Sequence, residues 1–120
     1  FEALTNRGIV LFRMKKLTDA EPVIRSALKI KDDSAICHYY LGRLLTDLKR
    51  YDEAEKELSF ALKLSENEMI EAHRMLANLF IIKDDYKRAA DELEIYLRLN
   101  PKATDAEHLR KVLSQLKSLK

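Results

Sequence analysis

The sequence is poor in the residues that interrupt regular secondary structure: among its 120 residues, two are glycine and two are proline. An all-β domain needs many tight turns, which rely on these residues, so their scarcity argues against such a fold. Tryptophan is absent, and Cys37 is the only cysteine. A single cysteine excludes an internal disulfide and a metal site made of several cysteines.

Long apolar runs and a strong charge imbalance are also missing. No stretch approaches the ~20 apolar residues of a membrane-spanning helix, so we expect no membrane partner. The formal net charge of +2 predicts neither nucleic-acid nor membrane binding. Hydrophobic residues make up 47% of the chain and charged residues 35%, which is typical of a globular domain. Because the chain begins with Phe1, we expect a fragment of a longer protein; its compartment stays open, with the cytoplasm slightly favoured.

Three segments of the chain resemble one another at intervals of 34 and 35 residues. Small residues mark this register at two places in each segment. They are Gly8, Gly42 and Ala77 at the first place, and Ala20, Ala54 and Ala89 at the second. The one extra residue lies in the stretch LSENEMI between the second and third segments, and insertions in a repeat array belong in loops.

Each segment shows the periodicity of two helices. In the second segment, four leucines have the i, i+3, i+4, i+7 spacing of one helical face: Leu41, Leu44, Leu45 and Leu48. A glycine inside a helix costs ~1 kcal/mol relative to alanine. We therefore expect Gly8 and Gly42 to allow a close contact between helices that offsets this cost.

Polar residues between the paired segments predict where each second helix begins. We expect Thr18 and Glu21 to form a capping box, with Pro22 in the first helical turn. Asp52 is the expected cap in the second unit, and Asp84 or Asp85 in the third. The paired carboxylates Asp32 and Asp33 are likewise explained by capping of the helix that follows them.

The last residues predict one amphipathic helix over about 104–120. Its apolar residues share a face: Ala106, Leu109, Val112, Leu113 and Leu116. Such a helix would cap the end of a stack of hairpins. No equivalent cap precedes the first hairpin, so Leu4, Leu11 and Ile24 are expected to meet residues outside this sequence or a second copy of the chain.

This pattern resembles the tetratricopeptide repeat, whose signature reads W-x2-L-G-x2-Y, then A-x3-F, then P. The matching residues are His38-x2-Leu41-Gly42-x2-Leu45 and Ala54-x3-Leu58 in the middle unit, and His73-x2-Leu76-Ala77-x2-Phe80, Ala89-x3-Leu93 and Pro101 in the third. The resemblance implies an all-α, right-handed α-solenoid of three antiparallel helix hairpins plus a capping helix. It places the repeats at about 1–34, 35–69 and 70–103, and the capping helix at about 104–120.

Residues with catalytic or metal-binding chemistry have simpler structural explanations. His38 and His73 occupy the same repeat position, and neither is followed by a second ligand at i+3 or i+4. We expect both to pack between helices, and Cys37 to be an inert core thiol. No serine has the glycines of a nucleophile elbow. The chain is therefore not expected to be an enzyme or to carry a metal or cofactor.

Basic residues recur in the turns between paired helices, as Lys15-Lys16 and Lys49-Arg50. The third unit has Asp84-Asp85 at this place, which interrupts any basic stripe. Nucleic-acid binding is therefore disfavoured.

The resemblance also implies a concave groove lined by the first helix of each unit. The predicted groove residues are Asn6, Ile9, Phe12 and Arg13 in the first unit, Ile36, Tyr39, Tyr40, Arg43 and Asp47 in the second, and Arg74, Met75, Asn78 and Ile82 in the third. Tyr39 and Ile81 lie at a face boundary, so a core position stays open for both. Chaperone-binding members of the family carry a carboxylate clamp of Lys, Asn and Arg. Its positions here hold Thr5, Ile9, Tyr40, Glu71 and Met75, so we do not expect that clamp.

The leading functional hypothesis is a non-catalytic protein–protein interaction module that binds a peptide or helix in this groove. Its apolar and aromatic content favours a protein partner, because exposed contiguous apolar surface usually marks an interaction site. The alternative is a structural spacer or a self-association segment of a larger multidomain protein. In that case we expect a homodimer through the uncapped N-terminal end or through the groove.

Overall fold

The computed structural model describes residues 1–66 and 69–119, and within them the chain forms seven α-helices. Their bounds are α1 (Glu2–Arg13), α2 (Leu17–Ile30), α3 (Ala35–Asp47), α4 (Tyr51–Leu64), α5 (Ile70–Ile82), α6 (Tyr86–Leu99) and α7 (Ala106–Ser118). The all-α prediction is confirmed. Residues 67 and 68 of the predicted insertion, and residue 120 of the predicted last helix, lie outside the described residues.

The helices belong to two compact units. The first contains α1 to α4, in which α1 packs on α2 and α3 packs on α4; α3 also contacts α2 and α1. The second contains α5 to α7, in which α6 packs against both α5 and α7. The described residues thus form three hairpins followed by a last helix, as predicted. None of their helices is both long enough and apolar enough to cross a bilayer.

Each hairpin closes at the two small positions that the repeat register identified. Ala20, Ala54 and Ala89 are all fully buried. A Cβ atom on Gly42 would lie 2.6 Å from Leu58 Cγ, and one on Gly8 would lie 2.5 Å from Ile24 Cγ1. These distances are too short for carbon atoms, so the close approach of the paired helices explains the mid-helix glycines.

The three turns inside the hairpins share one backbone geometry. Lys15 has a φ of 61° and donates its N–H to the Phe12 carbonyl, while the next N–H, that of Lys16, reaches the Leu11 carbonyl. This pair of bonds is the Schellman motif that ends many helices. Lys49 and Asp84 repeat it with φ values of 62° and 60°. The left-handed residue is usually glycine, which none of these turns contains.

The turns place the helix starts earlier than predicted in two hairpins. Helix α2 begins at Leu17 directly after the Schellman turn, without a side-chain cap, so Thr18 lies inside the helix and the predicted capping box is wrong. Pro22 is consequently beyond the first turn. The expectation for Asp52 is also wrong, because Arg50 occupies the N-cap position of α4.

Two helices do have side-chain caps. The Asp85 side chain accepts a hydrogen bond from the Arg88 N–H at 3.3 Å, which confirms the expectation for α6. The Arg88 guanidinium also donates to Asp85 and holds the pKa of that carboxyl below its usual value. Helix α3 is capped by Ser34, whose Oγ accepts from the Cys37 N–H at 3.2 Å. Capping therefore does not explain Asp32 and Asp33.

Helix α7 has the predicted amphipathic character. Ala106 and Leu116 are buried, whereas Leu109, Val112 and Leu113 are half-buried. An ion pair between Lys117 and Glu94 links it to α6 on the solvent side. Helix α7 therefore covers part of the apolar surface of α6.

Replacing the left-handed Lys49 by glycine is expected to stabilise the fold. A non-glycine residue in this conformation costs roughly 1–2 kcal/mol, part of which glycine loses again through its greater freedom in the unfolded chain. We expect Lys49→Gly to raise the free energy of unfolding by about 0.5–1 kcal/mol. Lys56→Gly, at an exposed position inside α4, is the control and should lower it by about 1 kcal/mol. Urea unfolding followed by circular dichroism measures both; two losses of equal size would contradict the turn geometry.

Candidate functional site

Helices α1 and α3 lie side by side in the first unit and run in the same direction. Thr5 Oγ1 is 3.4 Å from Cys37 Sγ near their N-terminal ends. Further along, the Phe12 and Tyr40 rings meet edge to face with centroids 5.9 Å apart. The groove residues predicted on these two helices therefore belong to neighbouring elements, and we call the surface that they share the α1–α3 face.

Two of the predicted groove residues are mainly core residues. Phe12 and Tyr39 are each only 8% exposed, so they offer little surface to a partner. This corrects the expectation for Phe12, and Tyr39 takes the core position that was left open for it. Tyr40 and Ile9 are half-buried, and Asn6, Arg13, Ile36 and Asp47 are exposed.

Buried rings support an arginine on this face. The guanidinium carbon of Arg43 lies 5.1 Å from the Phe12 ring centroid, 5.6 Å from that of Tyr39 and 5.7 Å from that of Tyr40. These distances fall within the range of cation–π attraction. Arg13 approaches from α1 and donates from Nη2 to the Tyr40 hydroxyl at 3.3 Å. We call Arg13, Tyr40 and Arg43 the arginine–tyrosine cluster.

Two other arginines of the first unit have carboxylate partners. Arg25 pairs with Glu21 at 2.9 Å, and Arg50 at the start of α4 bonds to both Glu21 and Glu53. Hydrogen bonds from Arg50 hold the pKa of Glu53 below its usual value, and the two carboxylates raise the pKa of Arg50. In the described residues, neither Arg13 nor Arg43 forms an ion pair.

A cleft of about 300 Å³ occupies the N-terminal half of the α1–α3 face. Asn6 and Ile9 contribute to it from α1, and Ser34 and Ile36 from the start of α3; Phe1, Glu2 and Thr5 complete its wall. Ile36 is 52% exposed. The cleft is wide enough for one side chain of moderate size, and we call it the apolar cleft.

The predicted groove residues of the third repeat all lie on α5, in the second compact unit. Arg74 is taken up by contacts inside this unit: it forms an ion pair with Asp105, and its guanidinium carbon lies 5.5 Å from the Tyr96 ring centroid. Met75 is half-buried, whereas Asn78 and Ile82 are exposed. Arg74 therefore joins α5 to the residues before α7, a role that periodicity did not reveal.

His38 and His73 each connect the helices of one hairpin. His38 Nδ1 is 2.6 Å from a Glu57 carboxylate oxygen, and His73 Nδ1 is at the same distance from Glu92. His38 Nε2 also lies 2.7 Å from the Asp32 carbonyl oxygen. These contacts match the packing role expected for both. The sequence carries a signal that would have found them, because histidine and glutamate recur 19 residues apart in two units.

The residues that the structure describes do not form a metal centre. Residues 1–66 and 69–119 contain no group of three His, Cys, Asp or Glu side chains that could hold an ion. Cys37 is buried and lies beside Thr5.

Comparisons with known proteins agree with this architecture. The family model described as tetratricopeptide repeat matches residues 11–79, which is more than half of the chain. No curated protein matches the sequence.

Solved structures with the same fold cover nearly all of the chain. The tetratricopeptide domain of Arabidopsis OM64 is 19% identical and superimposes with a TM-score of 0.86 over 95% of this chain and 93% of that one. The Yersinia enterocolitica type III secretion translocator chaperone SycD is 17% identical, with a TM-score of 0.85 over 97% and 82%. The TPR2B domain of yeast Sti1, solved as a complex with pHsp70, is 16% identical, with a TM-score of 0.83 over 99% and 97%.

Removing the glutamate partner of a buried histidine is expected to destabilise the fold. His73 is 4% exposed, so its Nδ1 would lose the Glu92 carboxylate in a largely buried position. We expect Glu92→Ala to lower the free energy of unfolding by about 1–3 kcal/mol. Glu94→Ala is the matched control, because Glu94 lies on the same helix in a half-exposed ion pair and should contribute less than ~1 kcal/mol. Equal urea midpoints for the two variants would contradict this role.

Proposed function

Because the chain belongs to the tetratricopeptide repeat family, we propose that it is a non-catalytic interaction module that binds a peptide or helix of another protein on the α1–α3 face. The supporting observation is the arginine–tyrosine cluster beside the apolar cleft. Tyr and Arg are enriched in protein interfaces and often contribute most of the binding energy. We likewise propose repeat bounds of about 1–34, 35–69 and 70–103, and a partner-binding role for the predicted groove residues of α5 within their own compact unit.

The composition of this face favours a peptide over a nucleic acid. The apolar cleft and the exposed Ile36 offer apolar contacts, while Asn6, Arg13 and Asp47 offer hydrogen-bonding groups along the same two helices. An apolar centre with polar groups around it is the usual make-up of a protein interface. Charges of both signs are present, which argues against a phosphate backbone as the partner.

Some neighbours in fold have been solved with peptides. SycD of Yersinia enterocolitica was determined in complex with a peptide of the translocator YopD. The first tetratricopeptide domain of Spaghetti was determined with an HSP90 peptide. These similarities lie below 25% identity, so they support the general mode of binding and not the identity of the partner.

A structural or self-association role is the second candidate, and one observation favours it. Val10 and Met14 of α1 are 53% and 57% exposed, although they occupy the repeat positions of Leu44 and Leu48 in α3. Leu44 is fully buried, and α3 packs against the preceding helix α2. Val10 and Met14 therefore form an open apolar patch on the matching face of α1, as a surface for a further helix or a second copy would.

Peptide binding should depend on Tyr40. Peptides selected from a phage-displayed random library with the immobilised chain are expected to bind Tyr40→Ala at least tenfold more weakly, because interface energy concentrates in a few aromatic and arginine side chains. Tyr51→Ala, at the start of α4 in the same unit, is the matched control and should bind normally. Calorimetry measures the affinities, and circular dichroism checks folding.

Light scattering of the same samples separates the two candidates. A monomer whose binding is lost in Tyr40→Ala supports the interaction module. A dimer that Val10→Lys returns to monomer, together with peptides that bind both tyrosine variants equally, would instead support self-association.

A further inference from the structure

The two arginines of the arginine–tyrosine cluster differ in their partners from Arg25 and Arg50, which belong to the same two hairpins. Arg25 and Arg50 are neutralised by Glu21 and Glu53. In the described residues, Arg13 and Arg43 are held by rings and a hydroxyl, with no carboxylate bound to either. A guanidinium held in this way keeps most of its N–H donors available to a ligand, and these donors match carboxylate oxygens in pairs.

Both guanidinium groups approach the same side chain. Arg13 donates to the Tyr40 hydroxyl, and Arg43 lies over the Tyr40 ring. Arg43 is half-buried and Arg13 is exposed, so one anion on the α1–α3 face can meet a partly desolvated donor and a solvated donor together. Charge-assisted hydrogen bonds of this kind are about twice as strong as neutral ones.

Acidic residues lie at both ends of the same face. Asp47 is one helical turn beyond Arg43 on α3, and Glu2 lines the apolar cleft at the start of α1. Together, Arg13, Arg43 and Asp47 carry a formal charge of +1, which one carboxylate neutralises and a dianionic phosphate would exceed. The local charge pattern therefore favours a carboxylate over a phosphate.

The apolar cleft and the arginines are separated by the same spacing on both helices. Asn6 and Arg13 are seven residues apart on α1, and Ile36 and Arg43 are seven residues apart on α3. Two helical turns correspond to about 10.5 Å. That distance equals about three residues of a polyproline-II segment or seven residues of a helix, and in both cases the two side chains point the same way.

We propose that Arg13 and Arg43 bind the carboxylate of an aspartate or glutamate side chain in the partner peptide, while an apolar side chain of the same peptide fills the apolar cleft. This inference rests on the proposed function and adds the chemistry of the partner. The site differs from the carboxylate clamp of chaperone-binding relatives, whose positions here hold Thr5, Ile9 and Tyr40 on these two helices.

The test compares three forms of the full chain in the same phage selection. Against the parent chain, the enriched peptides should carry Asp or Glu at a fixed distance of three or seven residues from an apolar residue. The double variant Arg13→Gln/Arg43→Gln should lose this acidic preference. The matched control Arg7→Gln/Arg98→Gln removes two exposed arginines that form no ion pair in the described residues and should keep it.

Calorimetry on one selected peptide then measures the contribution of its carboxylate. Replacing the acidic residue by its amide should weaken binding to the parent chain at least tenfold, but to the double variant less than twofold. A third peptide carries phosphoserine at this place and should bind no more tightly than the acidic one. Circular dichroism confirms that each variant is folded.

The outcomes separate this inference from the function on which it rests. Peptides that need Tyr40 yet show no acidic preference, or an amide peptide that loses affinity equally for both chains, would overturn the carboxylate site and leave the interaction module standing. A phosphopeptide that binds tenfold more tightly would also overturn it in favour of a phosphate site. Failure to enrich any peptide would overturn both proposals.

Discussion

The close approach of two helices within each hairpin is the constraint on which the rest of this structure depends. Gly42 has no room for a Cβ beside Leu58, and Gly8 has none beside Ile24. Because these contacts fix which sides of the paired helices meet, they also fix which sides remain outside. The α1–α3 face is what remains of the first unit once α2 and α4 have covered the opposite sides. The candidate site is therefore a consequence of packing at small residues some distance away from it.

The hairpins could be predicted from the sequence because their small residues and leucines have helical spacing and recur at intervals of 34 and 35 residues, a pattern that resembles the tetratricopeptide repeat. The helix starts could not. The turns are closed by backbone hydrogen bonds around left-handed residues. Because Lys15, Lys49 and Asp84 are not glycines, the residue type does not predict the motif. Polar residues that usually cap helices therefore suggested starts that lie inside α2 and α4.

The candidate site could be predicted in part. A family resemblance supplied the positions on α1, α3 and α5, but not their surroundings. Whether a large ring at a face boundary is buried depends on the side chains of two helices at once, so Phe12 and Tyr39 could not be assigned to the core from periodicity. The Arg74–Asp105 contact joins residues 31 positions apart, and the repeat register does not predict it, because Thr5 and Tyr39 occupy the position of Arg74 in the other two repeats. In contrast, the histidine–glutamate contacts have a signal in the sequence, because the two residue types recur 19 positions apart in two hairpins.

The three rings beneath Arg43 affect more than the position of one charge. A free arginine side chain samples many rotamers, and holding it still when a partner arrives costs ~0.5–1.5 kcal/mol of conformational entropy. Contacts with Phe12 and Tyr39 restrict those rotamers during folding, before any partner is present. In the proposed complex, Phe12 and Tyr39 would thus help to set the affinity for the peptide, and they would link the stability of the first unit to the strength of its recognition.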